Sequence, residues 1–228
     1  MNTLFRVLIA GWLTFAAFWA SISWAQFPPP PIGGVVAGKI TGSYQTGNGA
    51  TNTWSFTAST FGTAAANRYI VVVWGYSSAQ TITTTTIGGV SASQVLAFAS
   101  GTQKISMFIA PVPTNSSLAL VSNGSGTGTV VYAVYALLSY NAAAAATTFT
   151  GTSISQTPAI PQGSFAIAGL LTTNGTGTLV GVTPDASPTV GLDVLQVGSH
   201  QFVAGLASYS IGTSGGTLPA AGVAIFGG

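Results

Sequence analysis

The chain has 228 residues, 47% hydrophobic and 3% charged, with 30 Gly, 11 Pro, no Cys and a formal net charge of +2. So little charge excludes a basic stripe for nucleic-acid phosphates, and it leaves few of the titratable pairs, clamps and metal nests that catalysis uses. Abundant aromatic and β-branched residues exclude a disordered chain, and the absence of Cys excludes a disulfide framework and thiolate chemistry.

Residues 1–26 differ from the rest. Arg6 precedes the apolar run Val7 to Ala20, and Ser21-Ile22-Ser23-Trp24-Ala25-Gln26 follows. A positive start, an apolar centre and a small-residue exit describe a secretory signal peptide cut after Ala25. The same stretch is nearly long enough to cross a bilayer as a retained anchor, or to lie as a buried helix in an assembly. Either way an N-terminal hydrophobic helix is expected, with possible membrane contact. Pro28 to Pro31 then form a polyproline II spacer and Gly33-Gly34 a hinge, so residues 27–38 are a linker before a body of 39–228.

The body alternates β-rich runs with Gly, Asn, Ser and Pro punctuation, which predicts an all-β antiparallel sandwich of jelly-roll or immunoglobulin-like type. In chain order the clearest expected strands are Trp54 to Ser59, Tyr69 to Tyr76, Thr81 to Ile87, Ile105 to Val112, Thr129 to Leu138, Phe165 to Leu171 and Gln201 to Ile211. Weaker ones are Gln94 to Phe98, Ser117 to Val121, Thr178 to Val182, Leu192 to Val197 and Val223 to Phe226. Ala142 to Ala146 is too short to hold a helix and reads as a connection. Tyr69 to Tyr76 is apolar on both alternating faces, so it needs cover twice: from a loop, a neighbouring subunit or another sheet. Because the exterior is nearly neutral, another copy of the chain is the expected cover.

Asn48-Gly49, Asn123-Gly124 and Asn174-Gly175 are hairpin signals, since tight turns demand positive φ. The surroundings of the last two are alike, Ser122 to Thr129 and Thr173 to Thr178, which reads as one hairpin solution used twice, by internal duplication or by convergent turn chemistry. The alternating glycines Gly124, Gly126 and Gly128 are followed by no Lys and no helix, so neither phosphate-binding fingerprint is met.

The one catalytic set the composition permits is His200 as base, Asp193 or Asp185 as its orienting group, and Ser199 or Ser208 as nucleophile. No Gly-x-Ser-x-Gly elbow supports it. Asp185 and Asp193 with backbone carbonyls are the only conceivable cation site, against the simpler reading of Asp185 to Pro188 as a turn. No catalytic, cofactor-binding or metal residue is therefore expected. Arg68, before the most apolar strand, is expected to pair with Asp185 or Asp193 or to mark the strand's wet end. Trp54, Trp74 and Tyr76 are either core or a surface for glycans or neighbouring chains.

Ser55-Phe56-Thr57, Gly62 to Arg68 leading into an aliphatic strand, Thr86 to Ala92 and Ile109 to Thr114 together resemble a poorly characterised family of proteins encoded by tailed phages and prophages of proteobacteria. The resemblance runs from about Thr53 to the C-terminus. It implies a β-sandwich module on a virion, a decoration, head-fibre or tail-fibre component that associates with itself and other particle proteins, with no catalytic residues. A leader departs from that pattern, because virion proteins assembled in the cytoplasm do not normally carry one. The alternative is an exported envelope adhesin or filament subunit, working on the cell surface.

Overall fold

The computed structural model describes residues 40–41, 45–47, 52–58, 64–77, 80–114, 118–125, 128–138, 145, 147–187, 189–190 and 192–227. The expected leader helix, the linker, Asn48-Gly49 and nearly all of the Ala142 to Ala146 connection lie outside these residues. Seventeen strands follow in chain order: β1 (Ile40–Thr41), β2 (Gln45–Gly47), β3 (Asn52–Ala58), β4 (Arg68–Ser77), β5 (Thr81–Ile87), β6 (Val90–Ser91), β7 (Ser93–Ser100), β8 (Gln103–Pro111) and β9 (Leu118–Ser125). The rest are β10 (Gly128–Leu138), β11 (Thr147–Gly151), β12 (Ile154–Gln156), β13 (Phe165–Val180), β14 (Thr183–Ala186), β15 (Thr189–Val190), β16 (Asp193–Gln201) and β17 (Ile211–Phe226).

All pairings are antiparallel, and they form three sheets. Sheet A runs β1-β10-β4-β8-β7, sheet C runs β11-β17-β13-β16-β14, and sheet B runs β3-β9-β5-β6. The two-faced strands explain the layering. Val71 and Val73, with Ile105, Met107, Val131 and Tyr135, face sheet C and pack on Ile167, Leu171, Leu195 and Phe226. Ile70, Val72 and Trp74, with Phe108 and Tyr132, face the other way and are covered by Ile82 and Ile87 of sheet B. Sheet A is thus the middle of three layers, and the second cover comes from the chain's own Thr-rich strand pair. The expectation of a neighbouring copy in that place is corrected: β5 buries its Ile residues inward and keeps Thr81, Thr83 and Thr84 exposed, as a half-covered strand should.

The outer face of sheet C is closed as well. Ala168, Leu170, Val223 and Ile225 lie beneath Ile154, Ile160, Val182 and Phe202. Here the expected strand Gln201 to Ile211 is wrong in its body. Gln201 ends β16 and Ile211 opens β17, while 202–210 crosses the sheet as a strap, held where Phe202 N donates to Ser164 O (2.8 Å) and Leu206 bridges to Ile160. Phe202 and Tyr209 of this run pack on the sheet while Val203 and Leu206 are exposed, so its apolar residues do not alternate as a strand's would.

Sheets A and C share one plan. Taking β1, β4, β7, β8 and β10 in one half and β11, β13, β14, β16 and β17 in the other, both sheets run first, fifth, second, fourth, third. β2 and β12 each add to the last strand. β13 and β17 continue paired past their bulges, whereas in the first half β4 gives way to β5 and β9 to β10, and the β5–β9 pair becomes sheet B. The two Asn-Gly sites do not mark this repeat. Asn123-Gly124 lies inside β9 and Asn174-Gly175 inside β13, so neither is the expected hairpin turn. Gly88-Gly89 (φ 60° and 81°) between β5 and β6 is a tight hairpin with positive φ at both central residues, the geometry of a two-residue turn.

Sheets A and C approach closely at Gly169 of β13. A Cβ at Gly169 would lie 2.7 Å from Ile105 Cδ1 and 3.0 Å from Val73 Cγ1, so a side chain there would have to displace those methyl groups.

Candidate functional site

Arg68 stands where the chain enters β4, and it is buried. Its Nε donates to Val112 O and its NH2 to Thr114 O, both at 2.8 Å, while Val112 N donates back to Arg68 O at 2.9 Å. The guanidinium fork therefore ties the exit of β8 to the start of β4, and burial lowers its pKa. The wet strand end is corrected to a dry one.

The two carboxylates face sheet A from sheet C. Asp193 Oδ1 accepts from Gln103 Nε2 (2.9 Å) and from Thr173 Oγ1 (3.0 Å), and Gln103 Nε2 also reaches Thr173 Oγ1 (2.5 Å). Asp185 Oδ2 accepts from Ser199 Oγ (2.5 Å) and Tyr135 OH (3.0 Å). Burial first, then the Asp185 charge and its hydrogen bond, hold the Tyr135 phenol far above its ordinary range. Each node links one sheet to the other, and charge-assisted bonds of this kind are the stronger sort. The nodes are separate: Ala186 pairs with Val197, and Asp193 lies four residues before Val197 on β16, about 13 Å at roughly 3.3 Å per residue. Asp185 and Asp193 are therefore not brought together around one cation.

His200 belongs to neither node. Strand alternation turns it away from Ser199, toward Phe202 (centroids 4.6 Å apart) and Tyr209 (5.4 Å, interplanar angle 27°) beneath the strap. Tyr209 OH donates to Gly181 O at 3.1 Å and its ring meets Phe202 edge-on. The imidazole is a packing element of the strap. Ser208 is exposed on that strap, and Ser199 with Asp185 lies on the opposite face of β16, so the serine, histidine and aspartate set is not assembled.

Trp74 and Tyr76 are buried under sheet B, Trp74 tilted against Tyr132 at 5.3 Å. A glycan platform on these two is corrected to core; the Trp54 side chain lies outside the described residues. Burial also raises the Tyr76 and Tyr132 phenols. Lys104 Nζ donates to the backbone oxygen of Gln80. Gln103, Thr173 and Tyr135 went unrecognised in the sequence, and only the polar pair Gln103-Lys104 before an apolar strand hinted at them.

Beside the Asp193 node, Leu192 is 65% exposed and Leu218 50% exposed, the latter at φ 47°, a backbone region unusual for a bulky residue. A shallow cavity of about 180 Å³ at the outer face of sheet C is lined by Ser153, Ser210 and Ser214 together with the apolar Ile154, Val180 and Ile211. Among the described residues, no three His, Asp or Glu side chains gather as a metal site, and no helix is long and apolar enough to cross a membrane. The fold defines an all-β protein of stacked antiparallel sheets, consistent with a β-sandwich. No protein family, curated protein or solved structure matches the chain.

Proposed function

We propose that the chain is a non-enzymatic structural protein, a component of a phage-like virion of the decoration, head-fibre or tail-fibre kind, built on a jelly-roll or immunoglobulin-like sandwich and acting by self-association. The observation that carries this reading is the use of the body's polar groups. Asp185, Asp193, Gln103, Tyr135 and Arg68 hold sheet to sheet or strand to strand, as a rigid building block requires, and the outside is left to neutral Ser, Thr, Gly and a few Leu and Val. Self-association follows from low charge, which offers little repulsion between copies. Particles banded on a density gradient from the native host should contain the protein. Recovery solely from periplasm or cell surface would replace this reading by the exported adhesin or filament subunit.

A further inference from the structure

Sheet C ends on β11, five residues in unbroken register with Ala221 to Ile225 of β17 and hydrogen-bonded to no other described strand. This edge also reaches past the sheet stacked on it. A Cβ at Gly222 would meet Leu96 Cδ1 at 2.6 Å, so β7, the outer strand of sheet A, lies over β17. Thr150 is the partner of Gly222 on β11, and it is exposed, as is Thr148 on the same face, whereas Leu96 is 6% exposed. β11 therefore stands clear of sheet A. An outer strand offers a row of backbone donors and acceptors, and natural sheets blunt such rows with charge, Pro, bulges or brevity. β7 is bulged between Gln94 and Leu96, β14 contains Pro184 and a register shift, and β1, β2, β6, β12 and β15 have two or three residues. The sequence of β11, Thr-Thr-Phe-Thr-Gly, carries no charge and no Pro, and its register has no shift.

We propose that two copies of the chain join through β11, antiparallel across a two-fold axis, so that sheet C of one copy runs on into sheet C of the other. Thr148-Phe149-Thr150 reads the same in both directions. With Phe149 on the axis, Thr148 stands opposite Thr150 of the second copy and the two Phe149 rings stand opposite each other. Thr–Thr and aromatic pairs are cross-strand combinations that stabilise sheets. Phe149 is half-buried against the outer core of sheet C, so its pairing extends that core across the contact. The set-back position of β7 leaves β11 open to the second copy, and no charge on β11 opposes the approach. A two-fold contact uses the same patch on both copies, so it closes at the dimer. The inference rests on the proposed self-association and names its surface.

The chain has no Cys, so single cysteines report contacts cleanly in the full-length protein. Directly opposed residues of an antiparallel pair have Cβ atoms about 5 Å apart, and diagonal ones about 7 to 8 Å; only the first are close enough for a disulfide after a small adjustment. Under mild oxidation a mixture of Thr148→Cys and Thr150→Cys is expected to give covalent dimer, while either variant alone, and Val90→Cys on β6, stay uncoupled. Both threonines are exposed, so the exchange leaves the core untouched. The double variant Thr148→Lys, Thr150→Lys sets like charges face to face on both sides of the axis. It is expected to halve the mass from light scattering, from two chains to one, with an unchanged far-UV circular dichroism spectrum. If the unmodified protein associates while the cysteine mixture couples no more than Val90→Cys, or while the folded lysine variant keeps its mass, assembly stands and the β11 edge is overturned. A protein that is monomeric at every concentration removes both.

Discussion

Gly169→Ala tests the packing of sheet C on the middle sheet. The added methyl would sit 2.7 Å from Ile105 Cδ1 and 3.0 Å from Val73 Cγ1, inside contact distance for carbon atoms. All three residues are buried, so the neighbours have no solvent to move into. Overpacking of this size costs about 1 to 3 kcal/mol. Against it stands a gain of about 0.4 to 1 kcal/mol, because alanine restricts the unfolded chain. The expected net effect is a loss of up to about 2.6 kcal/mol, read as a lower urea midpoint at unchanged slope. Ile105→Val removes the nearest atom and alone costs about 0.5 to 1.5 kcal/mol. Combined with Gly169→Ala it should give a loss smaller than the sum by about 1 kcal/mol, the coupling expected of residues in contact. A stabilising Gly169→Ala, or strictly additive losses, would refute the close approach of β13 to sheet A.

Asp193→Ala removes the acceptor shared by Gln103 and Thr173 and should lower stability by about 1 to 3 kcal/mol, since Gln103 is buried and loses a charged partner; thermal unfolding at pH 7 measures it. Arg68→Lys keeps the charge but not the fork that reaches Val112 O and Thr114 O, so a loss of about 1 to 3 kcal/mol is expected in urea unfolding, and equal stability would show that the clamp does nothing. The Tyr135 phenol, raised above its ordinary 10.0, stays protonated in the folded chain while the unfolded chain releases that proton above pH 10. Folding stability should therefore be unaffected below about pH 9 and fall above pH 10 by about 1.4 kcal/mol per pH unit for this one group. Tyr135→Phe should flatten that alkaline slope in a pH series of unfolding curves, and an unchanged slope would contradict the burial of the phenol.

Composition and alternation made much of the body legible. Val71 to Trp74 announce a strand covered on both faces, and Thr81 to Ile87 a strand covered on one, because side-chain direction alternates strictly along a strand. Local pattern could not say what supplied each cover. That the Thr-rich strand pair folds over sheet A, that 202–210 straps sheet C, and that both halves share one strand order are settled by long-range pairing, to which periods of two residues are blind. The same limit applies to the polar groups. The scarcity of charge was plain, and the few charged positions could be named, yet Asp193 finds Gln103 ninety residues away and Asp185 finds Tyr135 fifty away. The sequence by itself determined an uncharged, all-β chain with two-sided strands, since those follow from residue type and spacing. Tertiary structure alone decided which sheets meet and which polar groups are joined between them, because those contacts join residues far apart in the chain.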